Sequence, residues 1–447
     1  MATSYRAFLI ELYEEYLEEA SFLYQQRRKL YENPEITWKK IGEFEGRLEA
    51  HIDGLVVGNK LALDVCSRRA TEGDFGEVYA ATCVFCRQNR RDSVLAIFEQ
   101  LEASDAERAF ALADALKYEL PDAWVADFAT LLTSGHVKLG PILARVFGYR
   151  RLAGGAALSS AIKRCAAPAL PEIVWALGRI GYEPAKEPLF DYLRSEEAPI
   201  RAAAAIALVR MDDAAAMEYC ISQAPSAPWA IAPSGLAGGR EAVVLLTNGA
   251  KGKGDSLLAL GLLGEPTAVS FLMSHLEEAE VAPAAAMALQ CLTGAGLHEE
   301  IFVPDKIEED ELFDAEREEL RQGKAPNRGD GRPFGSTVTR LCQDPQVWRQ
   351  WWLANANRFS TGIRYRGGRP LSPAVLVDMI AAEVTPYSLR QYFLEELAIR
   401  YGYDVCFEVD SPVEQQLTGL AKAEAWSRSS GQEFQAGAYY FGGRLQH

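Results

Sequence analysis

The sequence predicts an all-α protein of stacked helix pairs, with an N-terminal helical hairpin and a non-repeat helical region at the C-terminus. Two observations predict this class. Apolar residues near the start of the chain have helical spacing, and an Ala-Leu and Gly-x-Pro pattern recurs in its middle. Of the 447 residues, 49% are hydrophobic and 24% are charged, which is the balance of a folded protein.

The predicted N-terminal hairpin covers residues 1–58. A first helix spans Tyr5 to Tyr31, because apolar residues recur at helical spacing and neither Gly nor Pro interrupts them. Its acidic first half and basic end complement the helix dipole. A second helix runs from about Thr37, a suitable N-cap, to Leu55, with Gly58 beyond its end. Such a hairpin can cap an array of helices.

Residues 59–295 contain an internal repeat. The Ala176-Leu-Gly-Arg-Ile-Gly segment is similar to Ala259-Leu-Gly-Leu-Leu-Gly, and each precedes a Pro and an Ala-rich helix. The recurring leucines, including a degenerate copy, are Leu177, Leu208, Leu236, Leu260 and Leu289. Their intervals of 24 to 31 residues match one helix-turn-helix unit. One such pair cannot bury its apolar face alone, so the units stack. We therefore expect a HEAT-like α-solenoid rather than an Ala-rich bundle.

The repeat ends after Gly294, where a charged insertion (residues 296–346) begins. We expect a mobile loop around one short helix at 299–335. It contains the acidic run Glu308, Glu309, Asp310 and Glu311. Residues 347–447 form an aromatic- and Arg-rich helical region, with an aromatic helix at 347–352. Further helices are predicted from about Pro373, Tyr387 and Pro412.

An arginine-rich, Gly-containing segment is the most distinctive part of this C-terminal region. Its candidate protein-binding residues are Arg358, Arg364, Tyr365, Arg366 and Arg369, together with the acidic run above. Guanidinium groups can grip a carboxylate or a phosphate on a partner. Alternatively, these arginines hold the C-terminal region to an acidic face of the solenoid through ion pairs, while Tyr365 and Phe359 pack against Trp351 and Trp352.

The net charge of the chain indicates which classes of partner it can bind. Lys and Arg total 46 against 62 for Asp and Glu, which gives a net charge of −16. This acidity argues against nucleic acid and anionic membranes as partners. It suits a basic partner such as a cationic toxin, or it simply keeps a large protein soluble. We expect a cytoplasmic protein, since there is no export signal, no apolar run long enough for a membrane and no disulfide framework.

No catalytic or metal-binding constellation is predicted. Cys83 and Cys86 form a lone CxxC that lacks a second ligand pair, and they are expected on a buried helix face. The five histidines are dispersed, and no nucleophile motif of the GxSxG kind occurs. We therefore expect no cofactor, no metal and no enzymatic activity.

Two regions resemble one known family. They are Tyr16-Leu-Glu-Glu-Ala-Ser-Phe-Leu-Tyr24 with the later Glu45-Gly-Arg-Leu-Glu-Ala-His-Ile-Asp-Gly-Leu55, and Leu292-Thr-Gly294 with Trp348-x-x-Trp351 and Arg358-Phe-x-x-Gly-x-Arg-Tyr-x-x-Gly-x-Pro370. The segments resemble a bacterial family of uncharacterised HEAT-repeat proteins whose genes often lie beside type VI secretion components. The resemblance implies a bacterial cytoplasmic protein that handles a secreted toxin, the secretion spike or an adaptor. The family supplies no catalytic residues.

Three functions follow as hypotheses. The first is an immunity protein, as in a toxin–antitoxin pair, that binds and neutralises a type VI secretion toxin. The second is an adaptor or chaperone that loads an effector onto the secretion spike. The third is an enzyme with its site in the arginine-rich C-terminal region.

Overall fold

The computed structural model describes residues 5–31, 33, 36–102, 105–133, 139–249, 254–305, 312, 314–321, 327, 331–405 and 407–446. This part of the chain is mostly helical, as the sequence predicts. Its strands form three short, two-stranded antiparallel sheets. Among the helices described, none combines the length and the apolar composition that a membrane crossing needs.

Two long helices pair at the N-terminal end of the described chain. Helix α1 (Tyr5–Leu30) packs against α2 (Ile41–Val57), and α3 (Asn59–Glu72) follows at once. Thr37 precedes a short 3-10 turn that leads into α2, and its side chain makes no capping hydrogen bond. Gly58 is the C-cap of α2.

Eight helices of the described chain form what we call the inner row, in which each helix packs against the next but one along the chain. They are α4 (Phe75–Arg87), α6 (Ala106–Glu119), α8 (Gly140–Arg150), α10 (Leu170–Ile180), α12 (Ala198–Arg210), α14 (Ile231–Ala237), α16 (Gly254–Leu263) and α18 (Ala282–Thr293). Because α1 packs on α4, it extends the inner row at its N-terminal end.

Shorter helices alternate with those of the inner row and pack against them. They are α5 (Arg91–Gln100), α7 (Val125–Thr133), α9 (Gly155–Ile162), α11 (Lys186–Tyr192), α13 (Ala214–Gln223), α15 (Glu241–Gly249) and α17 (Val269–Ser274).

The residues of the sequence repeat lie at the contacts within the inner row. All five recurring leucines are fully buried, and they belong to α10, α12, α14, α16 and α18. A Cβ at Gly178 would lie 2.5 Å from the Ala207 Cα, and one at Gly261 would lie 2.6 Å from the Ala288 Cα. The small residues of the repeat are therefore needed because neighbouring helices approach closely.

The charged insertion differs from expectation. Its predicted short helix is present as α19 (Asp314–Arg321), but its two ends form strands β1 (His298–Pro304) and β2 (Gly335–Leu341), which pair over seven residues. The expectation of a loop on both sides of this helix was therefore wrong where β1 and β2 form. The sequence did not indicate the strands because they pair across a long stretch of chain and neither has a buried face. The acidic run Glu308 to Glu311 lies outside the described residues.

The C-terminal region runs back along the inner row. Its helices and hairpin strands are α20 (Pro345–Asn355), β3 (Tyr365–Arg366), β4 (Arg369–Pro370), α21 (Pro373–Ala381), α22 (Tyr387–Tyr401), α23 (Val413–Arg428), β5 (Tyr440–Phe441) and β6 (Arg444–Leu445). Helix α20 packs on α17, α22 on α12 and α14, and α23 on α2. One apolar core is shared between this region and the later half of the inner row.

Candidate functional site

The arginine-rich segment lies at the β3–β4 hairpin, and its arginines divide into a buried pair and an exposed pair. Arg364 and Arg366 are fully buried. Arg358 and Arg369 are exposed, and Arg369 binds Asp378 at 2.7 Å. In this arrangement a partner protein reaches only the exposed pair.

Glu396 on α22 binds the buried pair. Its Oε1 accepts a hydrogen bond from Arg364 Nη2 at 2.8 Å, and its Oε2 accepts one from Arg366 Nη2 at 2.7 Å. Arg400, one turn further along α22, donates from Nε to Oε1 at 3.0 Å. Burial alone would raise the pKa of Glu396. The attraction of Arg366 and Arg364 outweighs burial, so its pKa lies below the ordinary value.

The same three arginines close the ends of two helices. Arg364 and Arg366 donate to carbonyls at the end of α16, and Arg400 donates to carbonyls at the end of α14. The acceptors belong to Gly235, Gly238, Gly261, Leu262 and Leu263. These last carbonyls have no partner within their helix and form the negative end of its dipole, so cations stabilise them. Burial lowers the pKa of Arg400 to about 9.

This arrangement corrects the ion-pair alternative. The carboxylate partner of Arg364 and Arg366 belongs to the C-terminal region itself, and the inner row contributes main-chain carbonyls rather than acidic side chains. The ring of Phe359 packs against both tryptophans as expected, at 6.3 Å from Trp351 and 5.2 Å from Trp352, whereas the ring of Tyr365 contacts that of Phe359 at 4.9 Å.

Residues 404–405 and 407–411, which we call the strap, cross the C-terminal ends of four inner-row helices. Its acidic residues pair with basic residues at the ends of α6, α8, α10 and α12. The pairs are Asp410–Lys117, Glu408–Arg151, Glu408–Arg179, Asp404–Arg151 and Asp404–Arg210. The inner row is therefore basic along this edge and the C-terminal region is acidic, which is the reverse of the expected signs.

The pKa shifts follow from these pairs. Burial on its own would lower the pKa of Lys117, but attraction to Asp114 and Asp410 raises it. Burial would raise the pKa of Asp410, but Lys117 lowers it through charge and a hydrogen bond of 2.7 Å. Both partners are thus held in their charged forms.

The strap also binds the N-terminal helices through its main chain. The Asp410 carbonyl accepts hydrogen bonds from Arg27 Nη2 at 2.7 Å and from the Tyr118 hydroxyl at 2.9 Å. Just after the strap, the Val413 amide donates to Glu45 Oε2 at 2.7 Å. Side chains from α1, α6, α10 and α12 and from the C-terminal end of α8 therefore hold the strap, and α2 holds Val413 just after it.

The strap has an apolar side as well as an acidic one. Val405, Phe407 and Val409 are buried, and they alternate in the sequence with the acidic residues Asp404, Glu408 and Asp410. Together with the glycine motif below, this alternation is the signal by which the sequence could have revealed the segment.

The two C-terminal hairpins are copies of one motif. Residues 359–369 and 434–444 both read F-x-x-G-x-x-Y-x-G-G-R. In the first copy the Gly367 and Gly368 amides donate to carbonyls at the end of α18, at 2.8 and 3.0 Å. In the second copy Gly442 and Gly443 do the same at the end of α22, both at 2.8 Å. Each hairpin thus caps a helix.

Cys83 and Cys86 are buried on α4, as the sequence predicts, and burial raises the pKa of both thiols. Within the described ranges, no group of three His, Cys, Asp or Glu side chains is placed to hold a metal ion. No model of a known protein family matches the chain, and no curated protein sequence matches it.

Proposed function

We propose that this chain is a non-enzymatic, protein-binding HEAT-like solenoid. The supporting observation is the strap: one acidic segment is held by side chains from five helices, which is how a repeat scaffold binds a protein segment. Two observations support the solenoid. The inner-row helices alternate along the chain with the shorter helices, α5 to α17, that pack against them, and the repeat leucines are buried at the contacts within the inner row.

We further propose that the protein is a cytoplasmic immunity protein that binds and neutralises a type VI secretion toxin. The resemblance of the N-terminal and C-terminal motifs to HEAT-repeat proteins encoded beside type VI secretion genes supports this context. A net charge of −16 favours encounter with a cationic toxin. Because the strap fills one edge of the inner row, a toxin would bind to surfaces that the strap leaves open.

Co-expression with each toxin encoded nearby tests the role. An immunity protein restores growth, co-purifies with the toxin and protects only at equal or higher molar amounts, because binding consumes one copy for each toxin. Protection at far lower amounts would indicate an enzyme instead. Lost toxin delivery without self-poisoning in a deletion strain would indicate the adaptor. No protection and no complex with any neighbouring toxin would contradict the proposal.

A further inference from the structure

A cleft opens beside the strap, on the part of the inner row that the strap does not cover. Its walls come from α1, α6 and α8, with Tyr387 and Asp410 on the opposite side, and its volume is about 500 Å³. A second cavity of about 340 Å³ adjoins it beyond Arg145, where Trp175 on α10 forms part of the wall. The cleft therefore continues along successive helices of the inner row.

Two guanidinium groups face this cleft. Arg28 of α1 stacks on the ring of Phe110 at 4.5 Å, and Arg145 of α8 stacks on the same ring at 4.1 Å. Among the residues that the structure describes, neither guanidinium donates a hydrogen bond. Arg145 lies no nearer than 3.7 Å to a carboxylate oxygen, that of Glu172, although about a quarter of its side chain is exposed. Each group thus keeps its donors for a ligand.

The acidic residues that line the cleft are Glu107, Asp114 and Asp410, and Glu107 is exposed. Asp114 and Asp410 both bind Lys117, at 2.8 and 2.7 Å. Arg145 forms ion pairs without hydrogen bonds to two carboxylates, at 3.7 Å to Glu172 and 4.0 Å to Asp114. Arg28 and Arg145 therefore offer hydrogen-bond donors that the carboxylates around them do not use.

We propose that Arg28 and Arg145 bind carboxylate groups on an acidic segment of the partner protein. This inference rests on the protein-binding function proposed above and names the chemistry that the partner must carry. A guanidinium matches a carboxylate through two parallel hydrogen bonds, and stacking on Phe110 fixes both groups before binding. On the adjacent edge of the inner row, Arg151 binds the strap residue Asp404 in this way, with hydrogen bonds of 3.0 and 2.9 Å. The partner can be basic overall and still present this segment.

A labelled short polyglutamate peptide tests the cleft without knowledge of the partner. Arg28→Ala and Arg145→Ala should each weaken its binding about tenfold in a fluorescence-anisotropy titration, the effect of losing one charge-assisted interaction. Arg47→Ala is the matched control, because Arg47 is an exposed arginine outside the cleft. Arg145→Lys, which keeps the charge but loses the fork, should weaken binding less than Arg145→Ala. Unchanged thermal midpoints show that the variants are folded. Equal binding by all variants would overturn the inference.

The partner found by co-expression separates this inference from the function on which it rests. If the wild-type chain forms the complex and the Arg28→Ala/Arg145→Ala chain does not, both stand. If both chains form it equally, the cleft proposal fails and the binding function remains. If the wild-type chain forms no complex, the binding function fails, and the peptide titration still reports on the cleft. Inorganic phosphate that displaces the peptide at lower concentration than free glutamate would identify a phosphate site and overturn the protein-segment assignment.

Discussion

The two C-terminal hairpins have the same motif and cap their helices with the same pair of glycine amides, yet different groups lie beneath them. At the fourth position from the end of the motif, the first copy has Arg366 and the second has Phe441. Both side chains are buried. Arg366 binds Glu396 and helix carbonyls, whereas Phe441 belongs to the apolar core.

The glycines of the motif and its variable position, Arg366 or Phe441, have different roles. The paired glycines supply the amides that cap a helix, and they do so in both copies. The variable position determines whether the hairpin is held by a charge network or by apolar packing. A network of buried charges depends on every member, because each unpaired charge is costly, while apolar packing tolerates substitutions of similar volume.

The largest loss of stability is expected when Glu396, the carboxylate that the three buried arginines share, is removed. Glu396→Gln leaves the guanidiniums of Arg364, Arg366 and Arg400 buried without a counter-charge, and the free energy of unfolding should fall by about 3–5 kcal/mol in denaturant titrations. In the apolar copy, Phe441→Leu should cost less than about 1.5 kcal/mol. Losses of similar size would show that the two hairpins are held in the same way.

Acid should weaken the first hairpin through the same carboxylate. The pKa of Glu396 is lower in the folded chain than the ordinary 4.5, so its contribution is complete above pH 4.5 and is lost as the pH falls towards the folded value. The free energy of unfolding should therefore decline below pH 4.5, and less steeply in Glu396→Gln than in the wild-type chain. Parallel declines would show that other carboxylates, such as Asp404 and Asp410, account for the acid sensitivity.

Alanine substitutions at Gly368 and Gly443, which occupy the same position in the two hairpins, should have effects of intermediate size on stability. Gly368 and Gly443 have nearly the same positive φ, 73° and 75°, so an alanine at either costs about 1–2 kcal/mol in backbone strain. A Cβ at Gly368 would lie 2.5 Å from the Thr293 carbonyl oxygen, whereas at Gly443 the nearest atom is 3.9 Å away. Urea titrations should therefore show a further loss of about 1–3 kcal/mol for Gly368→Ala alone. Equal losses of stability in the two variants would mean that the first hairpin moves on α18 to make room for the Cβ at residue 368.

The smallest effects are expected at the exposed arginines that end each motif. Arg369 pairs with Asp378 and Arg444 with Asp212, and the four side chains are 37–67% exposed. Exposed ion pairs contribute little to stability. Arg369→Ala and Arg444→Ala should leave the thermal midpoint nearly unchanged. A clearly lower midpoint for either variant would show that the arginine helps to hold its hairpin against the helix.

Local patterns predicted the helices but not the placement of the C-terminal region. Each of Leu177, Leu208, Leu260 and Leu289 lies in a short local pattern of Ala, Leu and Gly that recurs along the chain. The repeat and its buried face could therefore be predicted. The alternation of apolar and acidic residues could have indicated the strap, but not where it binds, because its partners lie hundreds of residues away along the chain. Arg364 and Arg366 stood out in the sequence. Their burial depends on Glu396, whose role no local pattern indicates.

The strap and α23 change how this chain can come apart. A linear array of repeats normally loosens from its ends, with each unit adding its own stability. Here α23 contacts α2, and the strap binds residues from α1 to α12, so neither end of the array can fray while the other holds. A protease or an unfolding motor acting on this protein therefore meets the stability of the whole chain rather than that of a single terminal repeat.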